Sequence, residues 1–555
     1  MNLNELAQRK SGAVDYQKLV FDYRPSPDQS AATPVRRPVA VVGAGPIGLS
    51  LAIDLAQRGV PVVLLDNDNT LSTGSRAICF AKRTLEIFDR LGCGEVMVDK
   101  GVSWNVGKVF LKDQMVYSFD LLPESGHARP AFVNLQQYYV EGFLAERAAE
   151  LPLIDTRWKN AVAGVEPHDD HVVLSIDTPD GPYRLEVDYV AACDGSRSAM
   201  RRVLGLESKG RMFRDRFLIA DVRMEYDGPA ERWFWFDPAF HPNQSVLLHR
   251  QPDGVWRIDF QLGWDADPNE EKKPENIIPR VKALLAHSEA MKDVEFKLEW
   301  ASVYTFSCLR MDSFRHGRVL FAGDSAHGVS PFGARGANSG VQDADNLGWK
   351  LAAVLQGKAS DALLDTYARE REYAADENIL NSTRATDFIT PKSAVSRLFR
   401  DAVLELAKTH PFARTLVNSG RLSTPSTLRA SLLNTPDEDT FAGKMVPGAT
   451  AADAPVTLGD GSSSWLLRQL GMGFTVLVAG EVPASMKGVN GHGLSVTLLG
   501  IGTDLGDPQG VLAQRYDLQP GTVYLVRPDQ HVCARWRTAD AVKVSAAIRQ
   551  ALAFA

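Results

Sequence analysis

Two periods of hydrophobic and polar residues divide this chain. VAVV (39–42) is a short apolar run that ends on a glycine cluster. An amphipathic stretch follows, and then a second apolar run, VVLLD (62–66). That order predicts a strand–helix–strand unit. Short β-like runs recur between 103 and 193, interrupted by LQQYYVEGFLAERAAE (135–150), whose Leu, Glu and Ala content predicts a helix. From about 205 to 310 the strand signal dominates: RWFWF (232–236), SVLLH (245–249) and VWRIDFQL (255–262). In the last of these Arg257, Asp259 and Gln261 alternate with Ile258, Phe260 and Leu262, the pattern of a strand with one polar face. Trp233 and Trp235 alternate with Phe234 and Phe236 in the same way. At 341–355 the period becomes helical, with Val341, Ala344, Leu347, Leu351 and Leu355 on one stripe, and helix is expected to continue over 361–408. A Pro-, Ser- and Thr-containing stretch at 421–437 interrupts the pattern. After about 440 a small β-containing module begins, with FTVLVAG (474–480), LSVTLLG (494–500) and TVYLV (522–526). Residues 1–37, polar and proline-bearing, predict an extended arm.

Composition narrows the class. The chain has 555 residues, room for about three or four domains. Its hydrophobic, aromatic and charged fractions (45%, 8% and 23%) are ordinary for a globular protein. The net charge of −7 argues against a dedicated nucleic-acid binder. Five cysteines, Cys79, Cys93, Cys193, Cys308 and Cys533, form no CxxC pair, so neither a disulfide scaffold nor a zinc or dithiol site is expected. No apolar run approaches the roughly 18 residues of a membrane span, and the N-terminus lacks the apolar core of a signal peptide. A reducing cytoplasm is the expected location.

Gly43-Ala44-Gly45-Pro46-Ile47-Gly48 is a GxGxxG sequence in the context that gives it meaning. It follows a strand, opens a helix, and precedes Asp66 at the end of the next strand, 23 residues after Gly43. Gly43 permits the tight turn, Gly45 lets backbone approach a pyrophosphate, and Gly48 lets the helix pack close to the sheet. The helix N-terminus offers amides and a positive dipole end to phosphates, and Asp66 can accept hydrogen bonds from a ribose. NAD and FAD both satisfy this motif.

Two later segments bear on that choice: VAACDGSRSAMRR (190–202) and RVLFAGDSAHGVSPFGARGANSGVQDADNLGWKL (318–351). With them the chain, from about 38 to 400, resembles the aromatic-ring hydroxylases, single-component flavoprotein monooxygenases that include p-hydroxybenzoate hydroxylase and phenol hydroxylase. Within that family it is most similar to the 3-(3-hydroxyphenyl)propionate hydroxylase group. The resemblance implies an α/β fold: a Rossmann-like FAD domain (38–204 and 311–400) interrupted by a β-sheet substrate domain (about 205–310). A helical linker (401–439) and a thioredoxin-like C-terminal domain (440–555) would follow. It implies FAD as cofactor and NADH or NADPH as transient co-substrate, with no second Rossmann domain. It also implies that Asp324 bonds the flavin ribityl chain. Pro331 and the run through Gly336, Ala337 and Asn338 would lie beside the isoalloxazine ring, with the amides of Ala337 and Asn338 toward N1 and the C2 carbonyl. Asp194 matches the family's DG motif near the pyrophosphate, Arg76 a basic residue there, and Gln137 a flavin-contacting glutamine, with Gln136 adjacent.

The implied chemistry is hydroxylation of a phenolic or aromatic-acid substrate with NAD(P)H and O2, through a flavin C4a-hydroperoxide. Two positions depart from the family. The usual acid after the second strand is Glu, here Asp66. The aspartate that deprotonates substrate in the phenol-hydroxylase type is missing from Ala77-Ile78-Cys79-Phe80-Ala81, so a base must come from elsewhere. His249 and Tyr304 are the titratable groups to test first, His having a suitable ordinary pKa. Arg257 and Trp235 are candidate substrate contacts; their strands either line a pocket or meet solvent and core. His327 suits a structural role, and no metal site is expected. The partners expected are a small aromatic substrate, O2 and NAD(P)H, and a homodimer is compatible with the sequence. Two other readings share the flavin motifs: a flavin reductase or halogenase, and a non-catalytic flavin sensor. A halogenase would carry WxWxIP, which WFWFDP (233–238) echoes only superficially.

Overall fold

In the computed structural model, residues 15–72, 77–417 and 422–554 are described, and the statements that follow concern these. The strand Val35–Val42 lies at the centre of a sheet whose path runs Arg315–His316, Val319–Phe321, Tyr183–Ala192, Val35–Val42, Val62–Leu65 and Ile154–Arg157. Val39 pairs in parallel with both Tyr189 and Val62, and Val39 through Val42 are all buried. A parallel strand covered on both faces needs such a continuous apolar run. The parallel pair Ala191–Leu320 brings the segment after Phe321 beside the glycine loop, though the two are far apart in the chain.

The helices Pro46–Gln57 and Gly336–Leu355 cover this sheet and touch each other closely. A Cβ on Gly340 would sit 2.6 Å from Ile47 Cγ1, so only glycine allows that approach. The expected helix over 361–408 is two helices, Leu363–Ile389 and Ala394–Thr409. Pro391 explains the break, because it disfavours helical backbone at Thr390 and supplies no amide. Ser393 then caps the second helix.

A second mixed sheet has the order His327–Gly328, Phe296–Met311, Ser208–Met224, Val255–Leu262, Ser245–Arg250, Arg232–Phe236, Val106–Leu111 and Gln114–Asp120. Its last two strands come from within 38–204, so that stretch is shared between the two sheets rather than belonging wholly to the dinucleotide domain. Period-two alternation gives this sheet two faces. One face (Trp235, Leu248, Ile258 and Phe260 among others) packs on Ile277, Val281, Leu284 and Leu285 of the helix Pro274–Ala286. The other, with Phe217, Phe234, Phe236 and Leu247, turns toward Phe332 and Ile389.

The arm is more structured than its composition suggests. Tyr16, Leu19 and Phe21 are buried, Phe21 stacks on Trp158 with centroids 4.2 Å apart, and the first strand already begins at Val35. The C-terminal module is a mixed sheet. Its central strand Phe474–Ala479 is parallel to Val496–Ile501 and antiparallel to Val523–Val526, and the helix Ala541–Ala551 packs against it. Trp349 meets Phe474 edge-on across the boundary with the first domain.

Candidate active site

The glycine loop is shaped by clearances. Gly43 has φ +104°, and a Cβ there would lie 2.5 Å from the Cys193 carbonyl oxygen. A Cβ on Gly48 would lie 1.9 Å from the Gly43 carbonyl oxygen. Above Gly45, by contrast, nothing lies within 4 Å of a Cβ position, so backbone there faces open space. Pro46 occupies the first helical turn, where its missing amide is harmless. Asp66 accepts hydrogen bonds from the Ala44 amide (2.6 Å) and the Asp68 amide (2.8 Å), so it also fastens the loop. Burial raises its pKa against these bonds. A carboxylate has about four acceptor sites, so two amides leave room for a ribose hydroxyl.

The neighbouring segments converge on the same groove. Gln137 donates to Ser72 Oγ (3.1 Å) and Glu141 Oε1 (2.8 Å) and accepts from the Ala77 amide (3.2 Å). Gln136 is buried and donates instead to the Pro252 carbonyl, so the two adjacent glutamines face different parts of the molecule. Arg76 lies outside the described residues. Asp194 accepts from the Met200 amide through Oδ2, while its buried Oδ1 has no hydrogen-bond partner among the described residues. Asp324 is exposed in the tight turn Gly323–Ser325, and Pro331 is exposed beyond it. His327 is committed elsewhere. Its Nε2 lies 2.6 Å from Asp343, which also holds Arg371 and the Gly323 amide.

The helix Gly336–Leu355 begins without a side-chain cap. Its first amides, among them those of Gly336 and Ala337, therefore lack a capping side chain, at the positive end of a 20-residue dipole. The Asn338 side chain secures this end. It accepts from the Ala81 amide (2.8 Å) and donates to the carbonyls of Cys79 (2.8 Å) and Ala334 (2.5 Å). The preceding turn carries two left-handed residues, Gly333 (φ +96°) and Ala334 (φ +53°). For an alanine that conformation is strained, and such strain concentrates at functional loops. The groove thus offers a glycine loop open to a pyrophosphate, an unpartnered acceptor at Asp194, an exposed acid at Asp324, and uncapped amides suited to an anionic ring edge. These residues fit a flavin dinucleotide.

Against the same turn lies an apolar cleft, partly open to solvent, walled by Phe119, Phe234, Phe236, Phe332 and Ile389. Arg232 belongs to its lining. Arg232 belongs to a row across the sheet, in which Arg232 pairs with His249, His249 with Arg257, Arg257 with Asp221, and Asp221 with Trp300.

Several expectations are corrected by this row. Arg257 is no free anchor: its Nε and Nη2 each donate at 2.7 Å to Asp221, and it lies over the Trp300 ring. Trp235 faces away from the cleft, stacked on Phe110 in the helix-covered core, and Trp233 shares that side. His249 is 3% exposed, and its pKa is held well below the ordinary value by burial and by Arg232 and Arg257. It is therefore a neutral and very weak base. Tyr304 is half-buried opposite Phe217 and stacks on Phe306, part of the aromatic wall.

Two further residues on this face stand out: Arg232, which the sequence pattern did not single out, and Asp259, which it placed on a polar face without a role. Among the described residues, the Arg232 side chain has no hydrogen-bond or ion-pair partner, and its Nε is buried and unsatisfied. Asp259 is half-buried with an unsatisfied Oδ1. Burial pushes its pKa up to about 6 against the pull of Arg257 and Arg232. Cys79 completes the group; its thiol donates to Asn134 Oδ1, and burial pushes its pKa up to about 12. The usable signal was the alternation itself, which puts Arg232 on one face with Phe234 and Phe236.

Residues 36–382 match the FAD binding domain family. The chain belongs to that family. It is a flavoprotein of the aromatic hydroxylase kind, with an FAD binding domain. It is 30% identical to a 6-methylpretetramide 4-monooxygenase of Streptomyces rimosus over 92% of this chain and 93% of that one. It is 28% identical to a 3-(3-hydroxy-phenyl)propionate/3-hydroxycinnamic acid hydroxylase of Mycobacterium sp. (strain KMS), over 92% and 90%. Among solved structures, the anhydrotetracycline hydroxylase OxyS from Streptomyces rimosus is 26% identical, with a TM-score of 0.69 over 93% of this chain and 99% of that one. The flavin-dependent monooxygenase PieE, solved with FAD and substrate, shares the fold at a TM-score of 0.80 and 21% identity, over 94% of this chain and all of that one.

Proposed function

We propose that this hydroxylase inserts one oxygen atom of O2 into the ring of a phenolic substrate, a simple phenol or an aromatic acid, held in the cleft between the second sheet and the turn at Pro331–Arg335. The observation that carries this reading is the cleft itself. Its walls are aromatic, and Arg232, which lines it, has no hydrogen-bond or ion-pair partner among the described residues. FAD, when bound, supplies the acceptor for hydride and the means of activating O2.

The chain's residues do the rest. The Gly45 loop and the Pro46 helix end receive the pyrophosphate, Asp66 a ribose, and Asp324 the ribityl chain. The amides of Gly336, Ala337 and Asn338 stabilise negative charge at the ring edge, while Asn338 keeps that helix end fixed against Cys79 and Ala81. Gln137 supports the segment on the other side of the groove, through Ser72 and Ala77. Phe234, Phe236 and Phe332 exclude water and hold the substrate ring. The free thiols, Cys93, Cys193, Cys308 and Cys533 buried among them, suit a reducing compartment and support a cytoplasmic setting.

The test is a panel of phenols and aromatic acids given to the flavin-loaded enzyme with NADH or NADPH. It is scored by hydroxylated product and by 18O incorporation from labelled O2. Product formation coupled to reductant use is expected for at least one phenol. Reductant oxidation that yields only hydrogen peroxide with every member of the panel would overturn the reading.

A further inference from the structure

On the cleft-facing side of the second sheet, three polar groups from three adjacent strands lack a hydrogen-bond partner among the described residues: Arg232 Nε, His249 Nδ1 and Asp259 Oδ1. Buried polar groups are normally paired, and leaving one unpaired costs about 1–3 kcal/mol, more for a charge. Arg232 lines an open cleft beside the strained Gly333–Ala334 turn, and His249 and Asp259 follow on the next two strands of the same sheet; together they are complementary to something outside the chain. Each group specifies what that is. Arg232 can only donate and carries a positive charge, so it needs an acceptor or an anion. Asp259 as a carboxylate can only accept, so it needs an O–H or N–H. The two strands are separated by the strand of His249, about 10 Å between backbones. A single ligand oxygen that donates its proton to one side and receives a hydrogen bond from the other fits between them. A phenolic hydroxyl is such a group. A carboxylate satisfies Arg232 but repels Asp259.

We infer that Arg232 and Asp259 together ionise the substrate: the phenol O–H is broken, its proton passes to Asp259, and the electron pair stays on the phenolic oxygen, paired with Arg232. No oxidant or further reactant is involved. The inference rests on the hydroxylase reading above and supplies the base that the stretch Ala77–Ala81 lacks. The charged and titratable groups around Asp259 are consistent with it. Arg257, on the same strand, is neutralised by Asp221 from the next strand. His249 stays neutral and leaves the charge balance unaltered. Cys79, from the strand beside the flavin turn, stays a thiol. Burial thus leaves the Asp259 carboxyl pushed up to about 6, near the ideal for a general base at neutral pH. The phenolate it leaves behind is the electron-rich ring that hydroxylation requires.

The test uses the flavin-loaded enzyme and 4-nitrophenol, whose phenolate has its own absorbance. Binding is followed by difference spectra below the phenol's solution pKa, in the wild type and in Asp259→Asn, Asp259→Glu and Arg232→Gln. Flavin content reports correct folding. The wild type is expected to develop the phenolate band on binding. Asp259→Asn should bind the neutral phenol without the band until the pH exceeds the phenol's own pKa, and Asp259→Glu should restore it. Arg232→Gln should weaken binding about 10- to 100-fold, the range for a hydrogen bond to a charged group. 4-Nitroanisole, which has no hydroxyl, should be indifferent to Asp259. An unchanged phenolate band and pH dependence in Asp259→Asn would overturn the inference. So would benzoate binding that depends on Arg232 while nitrophenol binding depends on neither residue. Those results leave the hydroxylase reading standing if the wild type still hydroxylates a phenol; failure of the whole substrate panel removes that reading itself.

Discussion

Glu370, Arg527, Asp529 and Lys350 are buried where the C-terminal module meets the helices Gly336–Leu355 and Leu363–Ile389, and every charged atom among them has a partner. Arg527 donates to Glu370 at 2.6 and 3.1 Å and to Asp529 at 3.0 and 2.6 Å, and Lys350 donates to Glu370 at 2.7 Å. Asn346 and Ser431 complete the carboxylates. Two cations meet two anions, and the pKa of Glu370 is held far below the ordinary range by Arg527 and Lys350, which overcome the cost of burial. On the face of the second sheet, Arg257 and Asp221 are paired in the same manner, but Arg232 and Asp259 beside them are left with open valences. The first cluster is closed and joins two domains. The second is half closed, and Arg232 of its open half lines the aromatic cleft. Burial alone therefore does not distinguish glue from site; completeness of pairing does.

The difference predicts opposite stability effects for the loss of an arginine. Arg527→Ala removes the cation shared by two buried carboxylates, leaving Glu370 with Lys350 and Asp529 with His531, and breaking such a cluster costs about 3–5 kcal/mol. A lower unfolding temperature and faster proteolytic release of the C-terminal module are expected; a transition within a degree of wild type would contradict the closed-cluster account. Asp324→Ala should purify almost colourless on the proposal that this exposed acid holds the ribityl chain, and absorbance at full flavin occupancy would refute its assignment. Arg232→Gln removes a charge that has no partner, so thermal stability should hold or rise slightly while phenol affinity drops about 10- to 100-fold. A destabilisation like that of Arg527→Ala would show that Arg232 is glue after all.

The smallest effect concerns Asp259. Its folded pKa, about 6, lies above the ordinary carboxylate value. The native state thus holds a proton that the unfolded chain releases, and stability is fully present below about pH 4 and falls as pH rises through 6. Asp259→Asn removes that loss. It should be more stable than wild type by roughly 1–2 kcal/mol at pH 7–8, allowing for partial exposure, with the advantage vanishing near pH 4. Denaturant unfolding at the two pH values checks the sign.

Much of the cofactor side was legible because its residues are contiguous. GAGPIG, DG and GDSAH each carry their geometry in a few neighbouring positions, and the spacing to Asp66 follows from one strand–helix–strand unit. The substrate side was less legible because it is assembled across strands. Arg257 and Arg232 are indistinguishable as letters in period-two runs. What separates them is that Asp221 lies opposite Arg257 across the sheet while no acid lies opposite Arg232, a matter of register. His249 looked a suitable base from its ordinary pKa, and its burial in the sheet, together with the flanking arginines brought in by pairing, makes it a poor one. The arm misled for a related reason: its composition is polar, yet Tyr16 and Phe21 are placed where Gly142 and Trp158 can receive them.

The pH dependence of kcat/KM for hydroxylation of a simple phenol by the wild type and Asp259→Asn tests the central claim most directly. The wild-type profile should fall on the acid side with a midpoint near 6, and that limb should disappear in Asp259→Asn together with most of the activity below the phenol's own pKa. An acid limb of the same midpoint and amplitude in both proteins would contradict the account.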